Sequence, residues 1–221
     1  MLLGKDRVTT TKLRDARPED APFLAEVLEM AGRGHLPLGP WDFTFPDAAE
    51  RRKALERIAA GDLPSWCHRS VFRVAEIEGE PGAAMVSFVA GAETEATLQR
   101  AVLAVFTGLG WTPERMMEAS ARIDVYSRCF PDMPHGTWIV ENVGTRRAAR
   151  RRGLVHTLLE DALERGRRSG HRDAQISCLI GNDPAQRAYE KVGFRIVEER
   201  RDPEFERLLG APGFSRMTLT L

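Results

Sequence analysis

Apolar positions along the chain follow two periods, and the switches between them mark the elements. After a short strand over residues 11–16, Phe23, Leu24, Val27, Leu28 and Met30 recur at helical spacing within 19–31. The loop HLPLGPWDFTFP follows. Asp47 then stands where its side-chain oxygen can accept from the free first-turn amides of a charged helix running to about residue 60. Strands over 71–78 and 83–90 read as a hairpin, with Gly79, Pro81 and Gly82 assigned to its turn. Two helices fit residues 92–127. One runs through Leu98, Val102, Val105 and Phe106, and Thr112-Pro113-Glu114 opens the other with a threonine cap and a proline at the first helical position. No internal repeat or low-complexity linker is visible, so residues 1–221 read as one domain with a helical insertion over 92–130.

From residue 137 the order is strand (137–145), helix (152–168), strand (173–180), helix (183–192) and two strands (194–198 and 217–221). Leu154, Val155, Leu158, Leu159, Ala162 and Leu163 share one face of the first of these helices. A strand–helix–strand unit needs parallel pairing, whereas hairpins are antiparallel. The expected fold class is α/β (α+β) with a mixed sheet.

Composition narrows the function classes. The 221 residues are 43% hydrophobic and 29% charged, which excludes a collagen-like repeat, a disordered tail and a disulfide-stapled miniprotein. Thirty-two basic residues balance 32 acidic ones, so no global field favours nucleic acid or anionic lipid. Cys67, Cys129 and Cys178 are widely spaced, without a CxxC pair or a Cys/His cluster; free thiols and no metal site are expected. The start, MLLGKDRVTTTKL, lacks the roughly 7–15-residue apolar core of a secretory signal. No apolar run approaches the roughly 18 residues of a membrane span. A soluble, cytoplasmic protein with no membrane partner is expected.

The chemistry concentrates in two stretches. VGTRRAARRRGLV (143–155) joins a strand to an amphipathic helix. Unpaired backbone amides, the helix dipole, a glycine that admits close approach and the charges of Arg150, Arg151 and Arg152 make a site for a phosphate or pyrophosphate there. It is neither a GxxxxGK[ST] nor a GxGxxG loop. A solvated basic helix start, or an RNA contact, would use the same residues, but the run lacks interleaved aromatics. The second stretch, NDPAQRAYEKVGF (182–194), puts Asn182 and Tyr189 on one helix face two turns apart, with Gly193 suited to a left-handed C-cap.

In tandem, R-x-x-G-x-[GA] and N-x-x-A-x-x-x-Y-x-x-x-G-F resemble the GNAT superfamily of acetyl-CoA-dependent N-acetyltransferases over about residues 137–200. Val155 departs from the family's usual Gly or Ala. The resemblance implies a mostly antiparallel sheet of six or seven strands flanked by helices, with the insertion before the fourth strand. It implies a pantetheine arm between strands four and five, and acetyl transfer to a primary amine by direct attack in a ternary complex. Cofactor contacts would fall on Val143, Thr145, Arg150, Arg151, Arg152, Gly153, Leu154, Val155, Asn182 and Tyr189. Tyr189 would return a proton to the leaving thiolate. Glu141 would act as base, directly or through water, or would be a strand carboxylate paired with a basic side chain. His135 is a rival base by its ordinary pKa near 6.5. His35 and Trp41 are candidates for acceptor contact, and Cys178 reads as a buried, inert thiol. The helices over 92–127 would wall the acceptor site or form a homodimer surface. A non-catalytic acyl-CoA-binding sensor or structural module is the alternative function.

Overall fold

The computed structural model describes residues 11–221, so the reading of residues 1–10 as no secretory signal lies outside the described residues. Fifteen helices and strands are built from the patterned segments. They are β1 (Thr11–Asp15), α1 (Ala21–Arg33), α2 (Pro40–Thr44), α3 (Ala48–Ala60), β2 (Phe72–Ile77), β3 (Glu80–Val89), α4 (Thr94–Gly108), α5 (Pro113–Cys129), β4 (Trp138–Thr145), α6 (Leu154–Arg168), β5 (Asp173–Leu179), α7 (Asp183–Lys191), β6 (Arg195–Arg201), α8 (Pro203–Leu209) and β7 (Gly213–Thr220). The strands form one mixed sheet in the order β1-β2-β3-β4-β5-β7-β6. All neighbours are antiparallel except β4 and β5.

One sheet face carries a core of Leu24, Leu28, Phe45, Leu55 and Phe72, drawn from α1, the end of α2, α3 and β2. The other carries Leu154, Leu158, Leu159, Ile176 and Phe194, from α6 and the strands beneath it. The expected caps form. The Asp47 side chain accepts from the Glu50 amide at 2.7 Å, and the Thr112 hydroxyl accepts from the Arg115 amide at 3.4 Å.

Four local expectations need correction. The β2–β3 turn is Glu78-Gly79, both at positive φ (55° and 85°), as a two-residue hairpin turn requires, while Pro81 and Gly82 lie inside β3. The Pro/Gly/Trp loop contains the short helix α2, closed by the Asp42 carboxylate accepting from the Gly39 amide at 2.9 Å. A helix, α8, separates the last two strands, capped by Asp202 accepting from the Glu204 and Phe205 amides at 2.8 and 2.9 Å. Finally, α6 starts at Leu154 rather than at residue 152, because Arg151 and Gly153 take left-handed φ values of 61° and 77°.

The feature that positions a site lies at the sheet's centre. β4 pairs with β5 only through Trp138–Val140 against Ala174–Ile176, and the ladder stops there. On its other edge β4 carries a bulge. Ala84 faces Gly144 and Val86 faces Glu141, so β3 advances two residues while β4 advances three. Asn142 absorbs the extra residue at φ 51°. Gly144, just beyond, lets α1 close over the strand, since a Cβ there would meet the Val27 backbone at 3.2 Å.

Candidate active site

Glu141 sits at the fork of β4 and β5, 9% exposed, and its carboxylate accepts from the Ser177 amide at 3.2 Å. No salt bridge reaches it among the described residues, so the paired-carboxylate reading does not hold. Burial pushes its pKa up from 4.5 to about 8, and the hydrogen bonds from Ser177 and Asn142 only partly oppose that rise.

Tyr189 projects from α7 into the same cleft and is 6% exposed. Burial raises its phenol pKa, and the charges of Cys178 and Glu141 add to the rise. The hydroxyl therefore stays a proton donor. Cys178, on β5, also lines the cleft; burial pushes its thiol up to about 12, which keeps it an un-ionised, poor nucleophile.

The loop before α6 forms one end of this cleft. Arg150, Arg151, Gly153, Leu154 and Val155 all line it. A Cβ placed on Gly153 would meet nothing within 4 Å, so the backbone is open to a ligand. Two buried polar atoms along this end, Thr145 Oγ1 and His156 Nδ1, have no protein partner. Amides at a helix start, full positive charges and orphaned polar atoms suit a phosphorylated cosubstrate with an amide-bearing arm. Val143, Thr145 and Asn182 line the cleft between this loop and Tyr189.

Two sequence candidates fall away from it. Arg152 is exposed and does not line the cleft, because the left-handed turn at Arg151 and Gly153 directs the intervening side chain outward. His135 is exposed in the loop before β4, also outside the lining. Of the same basic run, Arg146 is structural. It pairs with Glu26 at 2.8 Å and lies 4.5 Å over the Phe23 ring.

His35 and Trp41 also line the cleft, as does the α4–α5 pair. The cleft totals about 1400 Å³. The insertion thus walls the site, the first of its two expected roles. Sequence reasoning missed Tyr126 of α5, which lines the cleft, packs edge-on to Phe214 at 5.2 Å, and has its phenol pKa raised by burial and by the charge of Glu141. It missed Ser177 as well. Neither lies in a motif; only tertiary packing brings them to Glu141.

A forked parallel pair beside a basic helix start, with a buried acid and a phenol in the same cleft, suits an acyltransferase. The family model for the Acetyltransferase (GNAT) family matches residues 41–194, and the chain belongs to that family, whose members use acetyl-CoA as cosubstrate. No curated protein matches the chain. Among solved structures, an N-acetyltransferase from Staphylococcus aureus Mu50 is similar at 20% identity and TM-score 0.67, over 94% of this chain and 100% of that one. A Drosophila melanogaster polyamine N-acetyltransferase that forms N-acetylagmatine is similar at 17% identity and TM-score 0.55, over 96% and 100%. A ribosomal-protein-alanine N-acetyltransferase from Brucella melitensis is similar at 19% and 0.54, over 95% and 99%. At such identities the likeness is one of fold, and the acceptors of these proteins differ widely.

Proposed function

We propose that the chain transfers the acetyl group of acetyl-CoA to a primary amine by direct attack in a ternary complex. The observation that carries this reading is the pairing of a buried carboxyl, Glu141, with a buried phenol, Tyr189, in one cleft beside the open backbone of Gly153. The amides of residues 151–155 hold the pyrophosphate, Arg150 and Arg151 neutralise it, and the strand residues Val143 and Thr145, with Asn182, flank the pantetheine arm.

Burial does the acid–base work. An ammonium beside an ionised carboxylate and an amine beside a carboxylic acid carry the same proton. A dry site disfavours the charged pair, so Glu141 takes the proton and the amine becomes nucleophilic. The amine nitrogen then bonds to the acetyl carbon, the C–S bond breaks, and Tyr189 supplies the proton that the departing thiolate gains.

An acetyl-CoA thiol-release assay across a panel of amines tests the reading, together with Tyr189→Phe. The variant keeps the ring, so coenzyme A affinity stays within about twofold. Turnover falls by about 100- to 10,000-fold, the usual contribution of a general acid. A fall below threefold would assign the proton to water or another side chain. Coenzyme A binding without release on any amine would leave a non-catalytic acyl-CoA-binding module.

A further inference from the structure

The cleft is divided by charge. Its cosubstrate end is lined by Arg150, Arg151 and Lys191. The lining residues between 30 and 133 include no Lys or Arg. The ionisable groups there are His35, the phenol of Tyr126 and, with Glu141, three acids. Glu141 stands at the floor, and Glu95 and Asp124 stand exposed at the rim, the latter 3.3 Å from Arg128. The walls are largely apolar, with Thr44, Gln99, Ser120 and Ser127 as the polar exceptions. Trp41, Trp66, Leu98, Val102, Phe106 and Met116 come from α2, the segment before β2, and the α4–α5 insertion. At the mouth the apolar lining continues outward, with Leu103 53% and Met117 73% exposed.

This arrangement discriminates among amines. An α-amino acid or a peptide ending in a carboxylate beside the amine would bring an anion into a lobe that holds no Lys or Arg and has a carboxyl at its floor. Such a buried, unpaired charge is heavily disfavoured. A polyamine would enter as an attracted cation, yet its second ammonium, a few carbons behind the first, would lie among indole, phenyl and aliphatic walls before it reached the rim acids. A single ammonium on an apolar body meets neither penalty. Its head meets the carboxyl of Glu141 and its body displaces water from apolar surface.

Resting on the acetyltransferase reading, we infer that the acceptor is a primary monoamine with an aryl or alkyl body and no carboxylate, selected by the apolar lobe that α4 and α5 build. Specificity is then a difference between neutral and charged bodies rather than a match to a particular hydrogen-bond pattern.

The test is kcat/KM for matched acceptors with the full chain: phenylethylamine, its carboxylated counterpart phenylalanine, phenylalanine methyl ester, agmatine and spermidine, and alkylamines of increasing length. The expected result is at least a 100-fold preference for phenylethylamine over phenylalanine, largely restored in the ester. A rise with alkyl chain length and weaker use of agmatine and spermidine are also expected. Met117→Lys, at an exposed position, should lower kcat/KM for the apolar amines several-fold while coenzyme A affinity stays unchanged. Equal or better use of phenylalanine, or of the polyamines, would overturn the inference while leaving acetyl transfer intact. Coenzyme A binding with no release on any acceptor would instead overturn the acetyltransferase reading on which it rests.

Discussion

Burial of Glu141 sets two pH dependences of opposite sense. In the folded chain its pKa is about 8, against 4.5 for an ordinary glutamate. A proton held more tightly in the folded state contributes stability that is fully present below about pH 4.5 and is lost as pH rises through about 8. Activity runs the other way, because a base must lose its proton before it can accept one, so kcat/KM should climb on an acidic limb ending near pH 8. Glu141→Gln removes both effects. Urea denaturation at about pH 5 and pH 8.5 should show a larger loss of stability in the natural chain than in the variant, while rate profiles should show a lower kcat and a flattened limb. His135→Ala, outside the cleft, should change neither. If the limb survives in Glu141→Gln and vanishes in His135→Ala, the base is the histidine. The sequence places Glu141 on a strand near a basic helix start, but its raised pKa comes from burial in the folded chain, opposed in part by Ser177, 36 residues away, and by the Asn142 amide.

Elements differ in how far their own residues specify them. The long helix α6 is legible because 15 residues repeat an apolar stripe. The single-turn helix α2 and the short α8 carry too few residues for periodicity to register. In α8 the readable signal was the cap, Asp202 followed by Pro203, the same device that Thr112 and Pro113 use in α5. The start of α6 depends on Gly153 at φ 77° with open space where a side chain would point. Asn and Asp both tolerate left-handed φ, so a pair of variants separates backbone strain from charge. Gly153→Asn should keep coenzyme A affinity within about threefold. Gly153→Asp, setting a carboxylate against the phosphates, should weaken it tenfold or more, about 1.4 kcal/mol. Isothermal titration checks both, and unchanged affinity in a folded Gly153→Asp chain would remove the loop from the cosubstrate site.

At the scale of the whole molecule, the helical wall of the cleft must be held against the sheet. Asp42 of α2 ties three helices. It accepts from Arg33 of α1 at 2.6 and 2.9 Å, lies 3.3 Å from Arg51 of α3, and caps its own helix through Gly39. Burial alone would raise its pKa, but Arg33 and the Gly39 amide hold it below the usual value, so the tie weakens as pH falls through the carboxylate range. Asp42→Ala leaves the buried Arg51 with Glu29 as its remaining carboxylate partner. Breaking such a pair costs about 3 kcal/mol, and the thermal midpoint should fall by more than about 5 °C. The acceptor KM should rise with it, since Trp41 is the residue beside Asp42 and faces the cleft. A shift under about 2 °C would show that the tie carries no stability. Alternation and capping, which are local, ordered the elements apart from α2 and α8, and the basic loop ahead of α6 stood out as a candidate anion site because helix-start amides need no distant partner. The charge pattern of the cleft lining, the exclusion of Arg152 and His135, the entry of Tyr126, and the burial that raises the pKa of Glu141 were decided only by the tertiary structure, because each depends on which side chains residues far apart in sequence turn toward the same fork.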